Sequence, residues 1–411
     1  MITWTINKLE QIARTDVRYL VRGFFWFGVQ HLGSIVGALA VAIAFANLLP
    51  KETYGLYQYI LSIFALLGIT TITRIDDSIS ISVAKGFEGD LIKVWLEKIK
   101  WGFLGSLAGL ALATYWYLND NITLALSGII MALFVPLFEP PSIYNGYLIG
   151  KKHFVVMSLL SLINIGAHSL AIIATILLTK NIVWIITIYM MVNSLIRTLC
   201  LWYVYILEKP NNLQDPKTLS YGKKLSIIEI IASVSAQIDN ILLFHYLGPV
   251  EVAAYAFIRK LPEQIKVIPK YLTTLSTPKF STKDIHDQYV KKETTRKSIV
   301  LFLTLLGAAI VYIIAAPFIF SIFFRPYREY VHLSQIFALA MPLNFGGLWF
   351  NFIETSRRED IVFKLNIISP SLRIIIIFVS IKYFGLVGLV WGFLATRFLI
   401  SALRGYFFYR A

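Results

Sequence analysis

The sequence has few charged residues for its length and a single cysteine, Cys200. One cysteine cannot form an intrachain disulfide, so the fold does not depend on oxidation. Charged residues make up 15% of the 411 residues, whereas hydrophobic residues make up 57%. Soluble domains of this size usually contain about 25% charged residues. The composition therefore excludes an ordinary soluble domain and indicates an integral membrane protein.

Motifs for metal or nucleotide chemistry are also missing. The six histidines are scattered without metal-ligand spacing, so no metal site is predicted. Residues 146–152 are one residue short of P-loop spacing and lack its Ser or Thr. No cleavable targeting signal is expected, because the first apolar run, from about Tyr19 to Leu49, is too long for a signal-peptide core.

Long apolar runs fill most of the chain. A membrane-spanning helix needs about 20 mostly apolar residues, and on this scale the sequence contains twelve candidate spans. Their predicted limits are residues 22–49, 54–82, 99–118, 122–149, 154–179, 182–206, 223–248, 252–279, 299–324, 331–354, 362–382 and 386–407. The runs lack the alternation of apolar and polar residues that a membrane β-barrel requires, which favours helices.

The distribution of Lys and Arg predicts the orientation. One side of the membrane receives 26 of the 38 basic residues, the other side receives 5, and 7 lie inside predicted spans. Basic residues concentrate on the cytoplasmic side of membrane proteins, so both termini are predicted to be cytoplasmic. The net charge of +15 is then explained by loops beside anionic headgroups, and no nucleic-acid partner is expected.

A weak internal repeat with an offset of 199 residues divides the chain. Its first copy comprises Gly23, Gln30, Ser34, Phe45, Leu48, Pro50 and Glu52, and its second copy comprises Gly222, Glu229, Ser233, Phe244, Leu247, Pro249 and Glu251. Six spans per half bring the second half into the membrane from the same side as the first, so the repeat is parallel. Such repeats are typical of transporters whose site lies between the halves.

We therefore expect an all-α polytopic membrane protein of two six-helix lobes, related by a pseudo-two-fold axis along the membrane normal. The predicted N-terminal lobe comprises residues 1–207 and the C-terminal lobe residues 223–411. Residues 208–222 form the cytoplasmic linker, which is polar and contains the helix breakers Pro210 and Pro216.

A charged stripe marks the eighth predicted span. Arg259, Glu263, Lys266 and Lys270 recur at i, i+4, i+7 and i+11 and share one helical face. A charged side chain at the bilayer centre costs about 3 kcal/mol on insertion scales, so this face needs water or a complementary partner. We predict that it binds substrate. The alternative is that Arg259 pairs with Glu263 while Lys270 extends to the cytoplasmic surface.

Further charges lie within spans of the C-terminal lobe. Glu229 and Asp239, in the seventh span, are candidate residues for coupling to a proton or cation. Asp239 is equally compatible with a structural pairing to a basic residue such as Arg373 or Arg397. These two arginines lie in the middle of the last two spans, where an anionic partner is needed, and are candidate substrate-binding residues.

Two candidates lie in the N-terminal lobe. Arg74 and Asp77, near the cytoplasmic end of the second span, either contribute to a substrate cavity or pair locally at i, i+3. Glu139 precedes Pro140 and Pro141, where a helix must break. Its carboxylate is a candidate ion-coupling group, or else a partner at the kink without a transport role.

No catalytic residue and no cofactor are expected, although coupling to protons or sodium stays open. Membrane enzymes that act on lipid-linked sugars usually need a sizeable external loop or domain. The predicted external connections here are only a few residues long. This geometry argues against an enzyme.

Three short segments resemble a known transporter family. They are Leu48, Leu49, Pro50, Lys51, Glu52, Thr53, Tyr54 and Gly55 after the first span; Asp239 and Asn240 in the seventh; and Tyr383 to Gly388 before the last. With these segments the chain resembles the polysaccharide transporter (Wzx-like, O-antigen flippase) family of the multidrug/oligosaccharidyl-lipid/polysaccharide (MOP) exporter superfamily. Leu49 stands where the family pattern has glycine, and Gly248 restores it in the second half.

The resemblance implies a MATE-like pair of helical bundles around a cavity that opens alternately to each side. The implied substrate is an undecaprenyl-diphosphate-linked oligosaccharide, moved from the inner to the outer leaflet of a bacterial or archaeal cytoplasmic membrane. Implied partners are membrane lipids and a polysaccharide polymerase or assembly protein. The alternative function is an ion-coupled multidrug or small-molecule exporter of the same superfamily, with Asp239 or Glu229 binding the coupling cation.

Overall fold

The computed structural model of the protein describes residues 17–265, 287–356 and 358–410. Within these ranges the chain forms helices joined by short turns, and no strand occurs among them. Nine helical segments of the described chain are long and apolar enough to cross a membrane. The predicted all-α polytopic membrane fold is confirmed.

The helices of the first half follow the predicted spans closely. They are α1 (Val17–Leu48), α2 (Lys51–Gly68), α3 (Ile75–Ala84), α4 (Asp90–Leu118), α5 (Ile122–Phe138), α6 (Tyr144–Gly150), α7 (Phe154–Leu178) and α8 (Ile182–Glu208). Short 3₁₀ turns at Ile69–Thr71 and Pro140–Ile143 separate α2 from α3 and α5 from α6. The second break is the one that Pro140 and Pro141 predict, since neither residue can donate a helical hydrogen bond.

The second half is built from six helices within its described part. They are α9 (Thr218–Leu247), α10 (Pro249–Ile265), α11 (Gln288–Phe323), α12 (Val331–Ala338), α13 (Gly347–Thr355) and α14 (Glu359–Arg410). Turns of 3₁₀ helix at Arg325–Tyr330 and Pro342–Gly346 precede α12 and α13.

The last helix, α14, contains two spans. Its 52 residues greatly exceed one bilayer crossing. The backbone leaves helical geometry at Gly385, with φ 61° and ψ −145°, a region that glycine enters without a steric penalty. This turn separates the spans predicted at 362–382 and 386–407.

The repeat is visible in the helix limits. α1 ends at Leu48 and α9 ends at Leu247, which are 199 residues apart. Each is followed closely by another helix, which begins at Lys51 in the first half and at Pro249 in the second. The connections differ in detail, because Gly248 has a φ of 92° whereas Leu49 keeps a negative φ. The first turn therefore does not need the glycine that the family pattern has there.

The helices pack into two compact units that are discontinuous in sequence. Of the described residues, those up to Ala44 and from Leu67 to Glu229 form unit 1, while Phe45–Leu66 and the residues from Ile230 onward form unit 2. The core of unit 1 includes Ile75 and Tyr147, and one core of unit 2 includes Tyr255 and Phe337. The units describe packing, so the predicted lobes 1–207 and 223–411 stay a prediction.

Candidate functional site

A deeply buried charged pair of unit 2 joins α9 to α14. The Asp239 side chain is only 1% exposed, and its Oδ2 lies 2.5 Å from an Nη atom of Arg373. The same carboxylate oxygen accepts a hydrogen bond of 2.7 Å from the Tyr255 hydroxyl. Arg373 also donates to the backbone oxygen and the hydroxyl of Ser235. The structure thus contains the pairing of Asp239 with Arg373 that the sequence allowed, and the ion-coupling role of Asp239 stays a prediction.

Two arginines of the last span share a face of α14. Arg397 donates a 3.2 Å hydrogen bond to Oδ1 of Asn344, and its guanidinium carbon lies 4.9 Å from the centroid of the Phe393 ring. Arg404 follows at i+7 and lies 4.9 Å from the Phe350 ring; its Nε is buried without a hydrogen-bond partner in the described chain. In that part of the chain neither guanidinium has a carboxylate within 4.0 Å.

The charged stripe of the eighth predicted span begins in α10. Arg259 and Glu263 lie 4.0 Å apart at i, i+4, which is the local pairing that the sequence offered as an alternative. The Arg259 guanidinium also lies 5.0 Å from the Tyr255 ring centroid. The other two predicted members of the stripe, Lys266 and Lys270, lie outside the described residues.

We call Arg259, Arg373, Arg397 and Arg404 the basic cluster of unit 2. Arg397 interacts electrostatically with Arg373, Glu263 and Asp239, and Arg404 interacts with Arg397. The described carboxylates near these four guanidinium groups are those of Asp239 and Glu263. The cluster therefore carries two more positive than negative charges in a largely apolar surrounding. Guanidinium groups form paired hydrogen bonds with phosphate oxygens, so this arrangement suits an anionic ligand.

The predicted residues of unit 1 form separate ion pairs. Glu139, at the end of α5, lies 3.1 Å from Arg197, which also donates to the Phe138 carbonyl oxygen at 2.9 Å. Both acceptors of Arg197 therefore lie at the end of α5, where Pro140 and Pro141 break the helix.

Arg74 and Asp77 pair with each other across 2.8 Å, and each side chain is about half exposed, at 48% and 54%. Their contact is the local i, i+3 pair that sequence spacing allows. Glu229 is half-buried in α9 and has no ion pair among the described residues. Arg74, Asp77 and Glu229 belong to unit 1, whereas the basic cluster belongs to unit 2.

Sequence reasoning overlooked three residues that take part in these charged contacts. Arg404 carried a signal, because it lies seven residues after Arg397 on the same helical face. Lys98 is 1% exposed and lies 2.7 Å from Asp76. Its only signal in the sequence was its position near the start of a predicted span. Tyr255 had no signal at all, since a tyrosine in an apolar run is most often a packing residue.

The comparisons with known proteins agree with this architecture. A family model described as polysaccharide biosynthesis protein matches residues 20–281, more than half of the chain. Solved structures of similar fold are transporters rather than enzymes. The protein therefore has a MATE-like fold of membrane-spanning helices. The chain belongs to the polysaccharide biosynthesis protein family.

Three of these structures show the extent of the similarity. A multidrug resistance MATE family transporter of the MOP superfamily, in an outward-facing conformation, is 13% identical over 93% of each chain with a TM-score of 0.59. MATE in the bent conformation is 13% identical over 97% of this chain and 96% of its own, with a TM-score of 0.63. A MOP superfamily transporter from Pyrococcus furiosus is 12% identical over 94% of this chain and 95% of its own, with a TM-score of 0.60.

Identities this low show a shared fold and nothing about the substrate. A search of curated protein sequences finds no match. The substrate must therefore be inferred from the charges in the chain itself.

Proposed function

We propose that this transporter moves a lipid-linked oligosaccharide, joined to its lipid through a diphosphate, from the inner to the outer leaflet of a cytoplasmic membrane. The observation that carries the proposal is the excess of guanidinium groups in the basic cluster of unit 2. Membership of the polysaccharide biosynthesis family supports a substrate of this class.

The chemistry of the cluster fits a diphosphate better than a cation. Among the described residues, Arg397 and Arg404 contact an amide and aromatic rings and have no carboxylate within 4.0 Å. A buried charge without a counterion is costly, so an anionic ligand at this place would stabilise both groups. Lys266 and Lys270 continue the same helical face in sequence and are proposed as further members of the phosphate site. The ring of Phe350, beside Arg404, is only partly buried and offers a surface on which a sugar ring can pack.

The second candidate function is an ion-coupled exporter of small molecules. One observation favours it: Glu229 is a half-buried carboxylate without an ion pair in the described chain, and is free to bind a proton or cation. One of the structures of similar fold is that of a multidrug resistance transporter. We rank this function second, because Asp239, the other candidate coupling residue of α9, is already bound by Arg373 and Tyr255.

The proposal includes an orientation with both termini in the cytoplasm, supported by the bias of Lys and Arg among the loops. It also includes a polysaccharide polymerase or assembly protein as a partner.

Neutralising Arg397 and Arg404, which have no carboxylate partner in the described chain, tests the proposed substrate. Arg397→Gln and Arg404→Gln should each abolish most transport of the lipid-linked oligosaccharide while the protein still inserts in the membrane. The matched control is Arg296→Gln, which removes an exposed arginine of α11 that makes no ion pair with a described residue. Transport is read from polysaccharide assembly in cells that lack the native gene. Full activity of the double variant Arg397→Gln/Arg404→Gln would reject the phosphate site.

A further inference from the structure

A cavity of about 520 Å³ is lined by residues of unit 1. Its walls are the end of α3, the segment before α9 and the first two turns of α9. Its charged lining residues are Lys85, Lys217, Lys224 and Asp215. The cavity therefore carries a net charge of about +2.

The three lysines are available to a ligand. No described carboxylate pairs with Lys85, Lys217 or Lys224, although other lysines nearby, such as Lys223 and Lys151, do form ion pairs. The single acidic lining residue, Asp215, accepts a hydrogen bond of 2.9 Å from the backbone N–H of Lys217 through its Oδ1. Its carboxylate is thus partly engaged in shaping the turn before α9.

The serine and threonine hydroxyls of the lining donate their hydrogen bonds to oxygen atoms of the protein. Ser78 donates to the carbonyl oxygen of Thr218 at 2.7 Å, and Thr218 donates to the buried Asp90 at 2.7 Å. Ser82 also donates to Asp90. These bonds fix the floor of the cavity and leave the three ammonium groups, with the hydroxyl of Tyr221, as its available donors. Such a donor set recognises an anionic oxygen cluster.

The surroundings of the cavity favour a lipid over a soluble ion. Ile81 and Tyr221 line it and are themselves 45% and 47% exposed, so apolar surface adjoins the charged groups. Lys223, next to the lining residue Lys224, lies 5.0 Å from the ring of Trp101, a residue type enriched at membrane interfaces. The whole region lies on the side of the membrane that the Lys and Arg distribution predicts to be cytoplasmic, where basic residues meet anionic headgroups.

We propose that this cavity binds the phosphate group of an anionic phospholipid headgroup. Two of the three lysine charges balance the negative charges of the phosphodiester and of Asp215. The third lysine leaves an excess positive charge, which disfavours the cationic group of a zwitterionic headgroup. The acyl chains lie along the apolar surface beside Ile81 and Tyr221. This inference does not depend on which substrate the transporter carries.

The test measures lipid binding to the purified full-length protein in neutral detergent by native mass spectrometry. Phosphatidylglycerol is the probe and phosphatidylcholine is its zwitterionic control. The cavity variant is Lys85→Gln/Lys217→Gln/Lys224→Gln. The charge-matched control is Lys100→Gln/Lys292→Gln/Lys364→Gln, which removes three exposed lysines from the same predicted side of the membrane.

The wild type and the charge-matched control should retain phosphatidylglycerol in preference to phosphatidylcholine. The cavity variant should bind phosphatidylglycerol about tenfold more weakly or worse, since each lysine near an anionic lipid contributes severalfold to affinity. A Lys→Arg variant at the same three positions keeps the charges and should keep the binding, which excludes misfolding as the cause of a loss.

Three outcomes would overturn the assignment. They are equal phosphatidylglycerol binding by the wild type and the cavity variant, an equal loss in the charge-matched control, and displacement of the lipid by millimolar inorganic phosphate, which would mark a site for the free ion. The variant Arg397→Gln should still bind phosphatidylglycerol at this cavity. A failure of the proposed transport function is therefore distinguishable from a failure of the proposed lipid binding.

Discussion

At the scale of single residues, the charges inside the spans are explained by their partners. The sequence identifies Asp239, Arg373 and Arg397 as costly groups that need partners, because each lies in an apolar run. It cannot identify the pairs, because Asp239 and Arg373 are 134 positions apart and their contact depends on how α9 packs against α14. Local pairs such as Arg74 with Asp77 are predictable, since helical spacing alone brings them together.

The Asp239–Arg373 pair should be a strong determinant of stability. Asp239→Ala leaves the Arg373 guanidinium buried without its carboxylate, and breaking a buried pair in this way costs about 3–5 kcal/mol. We expect a large fall in the midpoint of thermal unfolding of the detergent-solubilised protein. The double variant Asp239→Ala/Arg373→Met removes both charges and should recover part of that loss. If the two single effects simply add in the double variant, the pair does not act as a unit.

At the scale of elements, the sequence predicts the spans well, but it predicts only some of the breaks within them. The break after α5 has a signal in Pro140 and Pro141, and that before α13 has one in Pro342. The break between α2 and α3 has none, because residues 69–74 contain neither proline nor glycine, yet Ile72 adopts a left-handed φ of 56°. Packing around the buried Thr71 and Ile72 decides that break, and packing is not visible in an apolar run.

The turn at Gly385 should be sensitive to a single methyl group. A Cβ at this position would meet the Leu247 side chain only at 3.7 Å or more, so the cost of Gly385→Ala lies in its backbone conformation and should be about 1–3 kcal/mol. Gly307→Ala is the matched control, because no atom lies within 4 Å of the added methyl group in α11. The control should be neutral or slightly stabilising in thermal unfolding. Equal behaviour of the two variants would show that the turn does not require glycine.

The turn between α3 and α4 is held to the linker through Glu88. Burial opposes its ionisation, but hydrogen bonds from Lys151 and from the Asn211 backbone outweigh burial and lower the pKa of Glu88 from its usual 4.5. A lowered pKa means that the ionised carboxylate stabilises the folded protein above about pH 4.5, and that this stabilisation is lost as the pH falls through the lower folded-state pKa.

Glu88→Gln should therefore lower the thermal midpoint at pH 7 and flatten its decline in acid. The measurement is thermal unfolding of the wild type and the variant between pH 7 and pH 3. Lys151→Gln removes the partner at 2.6 Å and should produce the same flattening. An acid decline as steep in both variants as in the wild type would assign the pH dependence to other groups.

At the scale of the whole molecule, composition and hydropathy are sufficient to predict a polytopic helical membrane protein, and the repeat offset recurs in the helix limits at Leu48 and Leu247. The basic cluster was only partly predictable. The sequence marks Arg259, Arg373 and Arg397, but the excess of positive charge depends on which carboxylates reach them, and this is a property of the packed bundle.

The proposed orientation can be tested with single cysteines. Cys200 is buried, and its replacement by Ala gives a cysteine-free background. In that background Lys180→Cys, in the exposed connection between α7 and α8, should react with a membrane-impermeant maleimide in intact cells. Gln214→Cys, in the exposed linker before α9, should react only after the membrane is permeabilised. The opposite pattern would place the termini outside.

The central claim is that the chain moves a lipid-linked oligosaccharide across the membrane. The most direct test is mass spectrometry of these lipids in cells lacking the gene, combined with an external glycosidase that reports their leaflet. We predict accumulation of a complete repeat unit that the enzyme cannot reach, corrected by the wild-type gene and by Arg296→Gln but not by Arg397→Gln/Arg404→Gln. A normal pool of lipid-linked sugars with increased sensitivity to cationic drugs would contradict the claim and identify an exporter of small molecules.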